Sequence, residues 1–277
     1  MRKILVGVAL FGLLFAACGE EETNPPGASG SPAGDPCATE NLPVLEPGTL
    51  TVATDRPAYE PWFKGSPKDY SGYEGELASE IADRMGLEIK WVVEPFNKSY
   101  APGDKDYDFD INQITITPER EQAVDFSDGY FDNNQGVLAA KGSELENATS
   151  IEDLKSAQLG TQVGTTSLTF INDVIQPDSD PKVYDTTNDV KSALESGQLD
   201  GLVTDVVTTV YLRDFEIEGS EVIGQFESDE QFGMLFEKGS PLVECVNEVL
   251  AEIKDDGTLD KLQKEWLTDY LSVPTLE

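Results

Sequence analysis

The stretch Thr49 to Glu94, TLTVATDRPAYEPWFKGSPKDYSGYEGELASEIADRMGLEIKWVVE, decides the fold class. TLTVAT is a short apolar run with the look of a strand. GELASEIADRMG follows, with its apolar residues on one helical face and Gly86 as its stop. LEIKWVVE is again a strand. A strand, a helix and a strand in this order make a βαβ unit, and such units build largely parallel sheets.

The alternation continues along the chain. QGVLAAK reads as a strand, IEDLKSA as helical, AQLGTQVG as a strand, and a helix is predicted from about Ser167 to Val174. NDVKSALESGQ is predicted to be a helix ending at Gly197, LDGLVTD a buried strand and VVTTVYLRDF the next helix. PLVECVNEVLAEIKDDG and TLDKLQKEWL close the chain as two helices separated by Gly257. The class is therefore α/β, and 277 residues suffice for two lobes with their own cores or one large domain. There is no internal repeat and no GxxxxGK[ST] phosphate loop, so nucleotide hydrolysis is not expected.

Charge and composition exclude more. The 19 Lys+Arg stand against 53 Asp+Glu, a net charge of -34 that repels nucleic acid and anionic lipid. With no histidine, the commonest general base, the Ser-His triad and most zinc sites are absent. No cofactor, metal or nucleic-acid partner is expected.

Met1-Arg2-Lys3 followed by the apolar Ile4 to Ala17 reads as a signal peptide over residues 1–17, too short to span a bilayer comfortably. Its end, FAAC, resembles the bacterial lipobox, with Phe15 where that motif usually has Leu; Cys18 is then the site of lipid attachment. Residues 18–36, rich in Gly, Pro, Ser and acids, suit a flexible tether. The expected location is the outer face of the bacterial cytoplasmic membrane, with the lipid holding the protein there. Two cysteines remain, Cys37 and Cys245, and an even leftover count in an exported chain predicts one disulfide. The alternative is two unconnected cysteines.

Three strand ends carry polar residues that a core does not select. In ITITPER, Thr117 suits a helix cap and Pro118 the first helical position. Arg120 is out of place there, because a helix start is electropositive. Its planar fork suits a carboxylate, the alternative being a surface pair with Glu119, Glu121 or Asp125. In GTQVGTTS, Gly160 to Ser167, a turn containing Thr165 and Thr166 enters a helix and leaves backbone N–H groups for an anion. Asp205, in LVTDVV at the end of the buried strand, reads as a helix cap or as an acceptor for an ammonium group. A guanidinium, free N–H groups and a carboxylate facing one crevice recognise a zwitterion. Tyr59 and Trp62 follow the first strand; Phe96 follows the next, with core packing as its alternative.

The segments GTLTVATD, SGYEGELASEIADRMG, DFDINQITITPEREQAVDFSDGYF, LGTQVGTTS, ALESGQLDGLVTD and IKDDGTLDKLQKEW, in this order, resemble the family 3 extracellular solute-binding proteins, the receptors of polar amino-acid ABC importers. The resemblance covers about Gly48 to Leu267. It implies a type II periplasmic-binding fold of two α/β lobes joined by two hinge strands. Lobe 1 is then 37–136 with 234–277 and lobe 2 is 137–233, crossing near Gln135 to Ala140 and Gln231 to Phe236. It further implies an amino-acid ligand, a permease partner and a monomer. By position, Arg120 with the N–H groups of Thr115 and Thr166 matches the family's carboxylate site. Asp205, the Thr115 hydroxyl and the Gln113 carbonyl match its ammonium site, and Tyr59 and Phe96 its aromatic walls. Two departures lie beside this pocket: Asn112-Gln113 stands where the family has small residues, and SYAPGDKDYDFD lacks the usual apolar helix. Asp55, Glu60 and Asp110 are acids near enough in sequence to attract a cationic ligand. The alternative on the same fold is a cyclohexadienyl dehydratase-like enzyme, with Glu60 or Asp110 as proton donor.

Overall fold

The computed structural model describes residues 35–276, so the expected signal peptide, Cys18 and nearly all of the tether lie outside the described residues. The strands are β1 (Thr49–Thr54), β2 (Glu88–Val93), β3 (Phe109–Asp110), β4 (Val124–Phe126), β5 (Phe131–Ala139), β6 (Leu159–Gln162), β7 (Lys182–Tyr184), β8 (Gly201–Asp205), β9 (Glu221–Phe232) and β10 (Leu235–Glu237). The α-helices are α1 (Tyr73–Met85), α2 (Phe96–Ser99), α3 (Thr166–Phe170), α4 (Thr187–Glu195), α5 (Val206–Tyr211), α6 (Leu242–Asp255) and α7 (Thr258–Trp266). Two five-stranded sheets result, in the orders β2-β1-β3-β10-β4 and β7-β6-β8-β5-β9. The βαβ unit is present as read, with β1 parallel to β2 from Thr49↔Glu88 to Thr54↔Val93.

Each sheet is covered on both faces, which is why the central strands are continuous apolar runs. Leu50 and Val52 of β1 pack with Leu77 and Ile81 of α1 and with Val246 and Leu250 of α6. Ala53, Ile114, Val124 and Leu235 fill the opposite side. Each fully buried large aliphatic side chain contributes roughly 1.5–3 kcal/mol. α1 stops where it must: Gly86 takes φ +69°, and its N–H caps the helix on Asp83 O and Ala82 O. Cys37 and Cys245 are joined in a disulfide that pins the start of the folded body to α6. With a sequence separation of 208, loop closure in the unfolded chain makes such a bond worth about 5 kcal/mol in the chain-entropy view.

The helices expected near Ser167–Val174 and at VVTTVYLRDF begin as α3 and α5 and end in wide π-type turns, Ile171–Ile175 and Leu212–Glu216. IEDLKSA makes one 3₁₀ turn, Ile151–Leu154, closed by a capping box from Ser150 to Asp153.

The lobe limits differ from those expected. Gln135 to Ala139 pair along their whole length with β8, inside the second sheet, so they are not the crossing. The chain crosses earlier: Phe131–Asn133 pair with Glu230–Phe232 and, among the described residues, with no other strand. The return crossing runs from Glu230 through Gly233 and Met234 into β10. The C-terminal tail also departs from the first lobe. Gln225 N donates to Pro274 O at 2.8 Å, Leu276 N donates to Gln225 O at 2.9 Å, and Leu276 packs into the second lobe's core. β9 is an edge strand, and the tail takes up the free backbone groups of its Gln225.

Candidate functional site

The carboxyl ends of β1, β3, β6 and β8 face each other across the cleft between the two sheets, where connecting loops need carry no core and ligands of open α/β sheets bind. Asp55, Tyr59, Phe96, Gln113, Thr115, Arg120, Thr165, Thr166 and Asp205 all line this cleft, which encloses about 70 Å³. The residues named from the sequence as candidates for ligand contact therefore lie around one cleft. Glu60 and Asp110 do not. Glu60 pairs with Lys64 at 3.5 Å on the surface, and Asp110 is fully buried with Ser99 Oγ donating to it.

Arg120 opens a 3₁₀ turn, Arg120–Gln122, whose N–H is capped by the Thr117 hydroxyl at 3.2 Å. Arg120 is buried, 8% exposed, and its guanidinium carbon lies 5.6 and 5.0 Å from the ring centroids of Phe96 and Tyr100, which themselves pack edge-on at 6.0 Å. Nη1 donates to Thr115 O at 2.6 Å and Nη2 crosses the cleft to Gly164 O at 2.9 Å. Among the described residues it forms no ion pair, and Asp125 is taken by Lys238 at 2.5 Å. Burial lowers its pKa, against the opposing fields of Tyr100 and Glu230. A buried cation whose contacts are two carbonyls and two rings retains N–H donors for an anion.

The other half-site residues divide into free and committed groups. Thr115 and Thr166 meet across the cleft, hydroxyl to hydroxyl, at 3.3 Å, and among the described residues no acceptor takes either backbone N–H. Thr165 lines the cleft, but its hydroxyl accepts from Leu168 N and donates to Gln162 O, so it serves as the cap of α3. Asp205 caps α5 through one oxygen, accepting Thr208 N at 2.8 Å, while Thr204 approaches the other at 3.4 Å. Burial raises its pKa and these hydrogen bonds oppose the shift. The Gln113 side chain folds back onto Glu74 rather than into the cleft, so its bulk does not fill the pocket. Burial and the carboxylates Glu216 and Asp55 push the Tyr59 phenol well above its ordinary value, Glu216 belonging to the far lobe.

Residues 50–269 match the family described as Bacterial extracellular solute-binding proteins, family 3. The chain belongs to that family. This solute-binding protein is 30% identical to the L-cystine-binding protein of Escherichia coli (strain K12), over 80% of this chain and 84% of that protein. It is also 30% identical to the ABC transporter glutamine-binding protein of Bacillus subtilis (strain 168), over 97% of this chain and 98% of that protein. A solved ancestral arginine-binding protein bound to glutamine superposes with a TM-score of 0.70 at 32% identity, covering 79% of this chain and 98% of that one. The ancestral amino-acid-binding protein AncCDT-1, a precursor of cyclohexadienyl dehydratase, does so with a TM-score of 0.68 at 30% identity, covering 80% and 96%. The fold is accordingly the two-lobed α/β fold of periplasmic amino-acid-binding proteins.

Two acids around this solute-binding protein's cleft, Glu230 and Glu74, escaped the sequence reading, and Asn112 was noted only as a departure beside the pocket. Glu230, on the return crossing, accepts Gln135 Nε2 at 2.9 Å, Thr166 Oγ1 at 3.0 Å, Asn133 Nδ2 at 3.1 Å and Thr115 Oγ1 at 3.3 Å, touching both lobes and both crossings. Its neighbours in ESDEQF are acids too, and nothing in that run marks one as inward. Asn112 lines the cleft, 7% exposed, and its Nδ2 has no partner among the described residues. Its place beside Gln113, where the family has small residues, was the available sign. Glu74 sits beneath Gln113, hidden in the sequence of an amphipathic helix whose other acids face water.

Proposed function

We propose that this chain is the lipid-anchored binding subunit of an ABC importer, which closes its lobes on a zwitterionic amino acid and presents it to the permease. Arg120 grips the α-carboxylate with the N–H groups of Thr115 and Thr166. Asp205, the Thr115 hydroxyl and the Gln113 carbonyl take the ammonium group. Tyr59 and Phe96 wall the ligand, and Thr165 contributes by holding α3 in place. The observation that carries the reading is Arg120: a buried guanidinium without an ion-pair partner among the described residues, bonded at once to its own lobe and to Gly164 of the other. A ligand carboxylate there interacts with both lobes together, and a ligand favours closure by its differential affinity for the closed form. Cys18 carries the lipid, which keeps the receptor, a monomer, near the permease.

The dehydratase alternative is disfavoured, because the two donors considered for it do not line the cleft: Glu60 is a surface ion-pair partner and Asp110 lies behind Ser99. Binding without turnover is the reading supported. A thermal-shift screen of the soluble body against the common amino acids tests it. A ligand at 100 times its dissociation constant adds about 2.7 kcal/mol. A melting point unmoved by every amino acid would overturn the proposal, and conversion of arogenate or prephenate would promote the enzyme.

A further inference from the structure

Gln113 holds a backbone conformation that side chains resist. Its φ is +50°, in the left-handed region, where the Cβ of an L-residue crowds the following carbonyl. One group supports it. Glu74, fully buried near the start of α1, accepts the Gln113 backbone N–H at 2.8 Å through one oxygen and the Gln113 side-chain amide through the other. Both donors of Gln113 are drawn to a residue that does not line the cleft. Its carbonyl is left over. Among the described residues no backbone N–H donates to that carbonyl, while Gln113 itself lines the cleft together with Asp205. Glu74 also accepts the Tyr130 hydroxyl, and Tyr130 N donates to Phe232 O at 2.9 Å beside the crossings. Neutral donors therefore converge on a buried carboxylate that forms no ion pair among the described residues. Such a carboxylate is costly to bury unless its hydrogen bonds are all made, and here they fix one backbone conformation.

We propose that Glu74 is a positioning residue of the binding site: it holds Gln113 in the left-handed conformation and so aims the Gln113 carbonyl at the ligand's ammonium group. The inference rests on the reading that the ammonium group sits between Asp205 and that carbonyl. A charge effect alone predicts something different, because a negative charge attracts the ammonium group whatever conformation Gln113 takes.

Calorimetric titration with L-glutamine and L-arginine, each beside its analogue lacking the α-amino group, separates the two on wild type, Glu74→Ala, Glu74→Gln and Glu74→Ala/Gln113→Gly. Glu74→Ala should weaken the amino acid by roughly 10-fold to 100-fold and the des-amino analogue by less than about threefold, since lost hydrogen-bond support acts on the ammonium half alone. Gln113→Gly adopts the left-handed conformation unaided and should recover most of the loss in the Glu74→Ala background. Glu74→Gln, which can still accept the Gln113 N–H, should bind at least about tenfold tighter than Glu74→Ala, a tenfold step being about 1.4 kcal/mol. Equal weakening by Glu74→Gln and Glu74→Ala, with no recovery from Gln113→Gly, would overturn positioning in favour of charge. Should Glu74→Ala not fold, Gln113→Val carries the test: a β-branched residue resists positive φ and must show the same selective loss. A crystal structure of unliganded Glu74→Gln and Gln113→Val proteins gives a readout without ligand. Residue 113 must keep positive φ in the first and leave it in the second; positive φ in both refutes the inference even if no amino acid binds wild type.

Discussion

Arg120→Lys keeps the charge and removes the fork. In the closed cleft the guanidinium makes bonds of 2.6 and 2.9 Å to carbonyls on opposite lobes, and the proposed ligand carboxylate takes further N–H groups of the same plane. A lysine ammonium cannot reach both carbonyls and the ligand at once, so at least one charged hydrogen bond is lost in a buried place. Bonds of this kind are worth about 1.5–3 kcal/mol each. That loss of roughly 1.5–3 kcal/mol corresponds to about 10-fold to 150-fold in affinity. Phe96 and Tyr100 belong to the lobe of Arg120, so their cation–π contacts persist in the open form and cancel from the affinity; their loss, about 0.5–1 kcal/mol, should lower the unliganded melting temperature by about 1–4 °C. Calorimetric titration of wild type and Arg120→Lys with the amino acid found in the screen gives the affinity ratio. An affinity within threefold of wild type would refute the carboxylate role and the assignments built around it.

Further outcomes follow from other contacts. A Cβ at Gly164, which has φ +73°, would lie 1.8 Å from Tyr100 Oη across the closed cleft, so Gly164→Ala should weaken ligand binding by about tenfold or more, a step of about 1.4 kcal/mol; titration of the Tyr100→Phe double variant, which removes that oxygen, should recover affinity, and no recovery counts against closure at this contact. Burial pushes Asp110 up to about 8, and its Oδ1 has no partner among the described residues. Because the folded-state value is raised, the stability it contributes is present below the unfolded value near 4 and is lost as pH rises through about 8. Melting temperatures of wild type should therefore fall from pH 5 to pH 9 more steeply than those of Asp110→Asn, about neutral in this range; parallel curves would contradict the burial of an ionisable acid there. Cys18→Ser should release the protein from the membrane fraction, since lipid attachment is what anchors it; unchanged fractionation would count against the lipid.

The first βαβ unit was legible because β1 and α1 keep their periods without interruption and Gly86 marks the stop. Asp205 was legible because it ends a buried strand, and Thr165 and Thr166 because they follow one into a helix; Arg120 was legible from its charge at a helix start, although ITIT, read as a strand, makes only an isolated bridge at Thr115 among the described residues and Arg120 opens a 3₁₀ turn. The crossing was misplaced because β5 is one continuous strand: Phe131–Asn133 and Gln135–Ala139 differ in pairing partner, and no Gly or Pro separates them. The tail was assigned to the first lobe by chain continuity, whereas its place is set by the open edge of β9, a property of the assembled sheet. Glu74 and Glu230 stayed hidden because an inward acid and an outward acid look alike in a chain with 53 of them. Burial, not residue type, distinguishes their roles.

The central claim is that the cleft recognises both ends of a zwitterion, and titration of one amino acid against its own blocked forms tests it most directly. The amino acid found in the screen should bind, while its α-methyl ester and its N-acetyl derivative should each bind at least about 100-fold more weakly, about 2.7 kcal/mol, because each leaves a buried charged group without its partner. Binding of either blocked form within threefold of the parent would contradict the account.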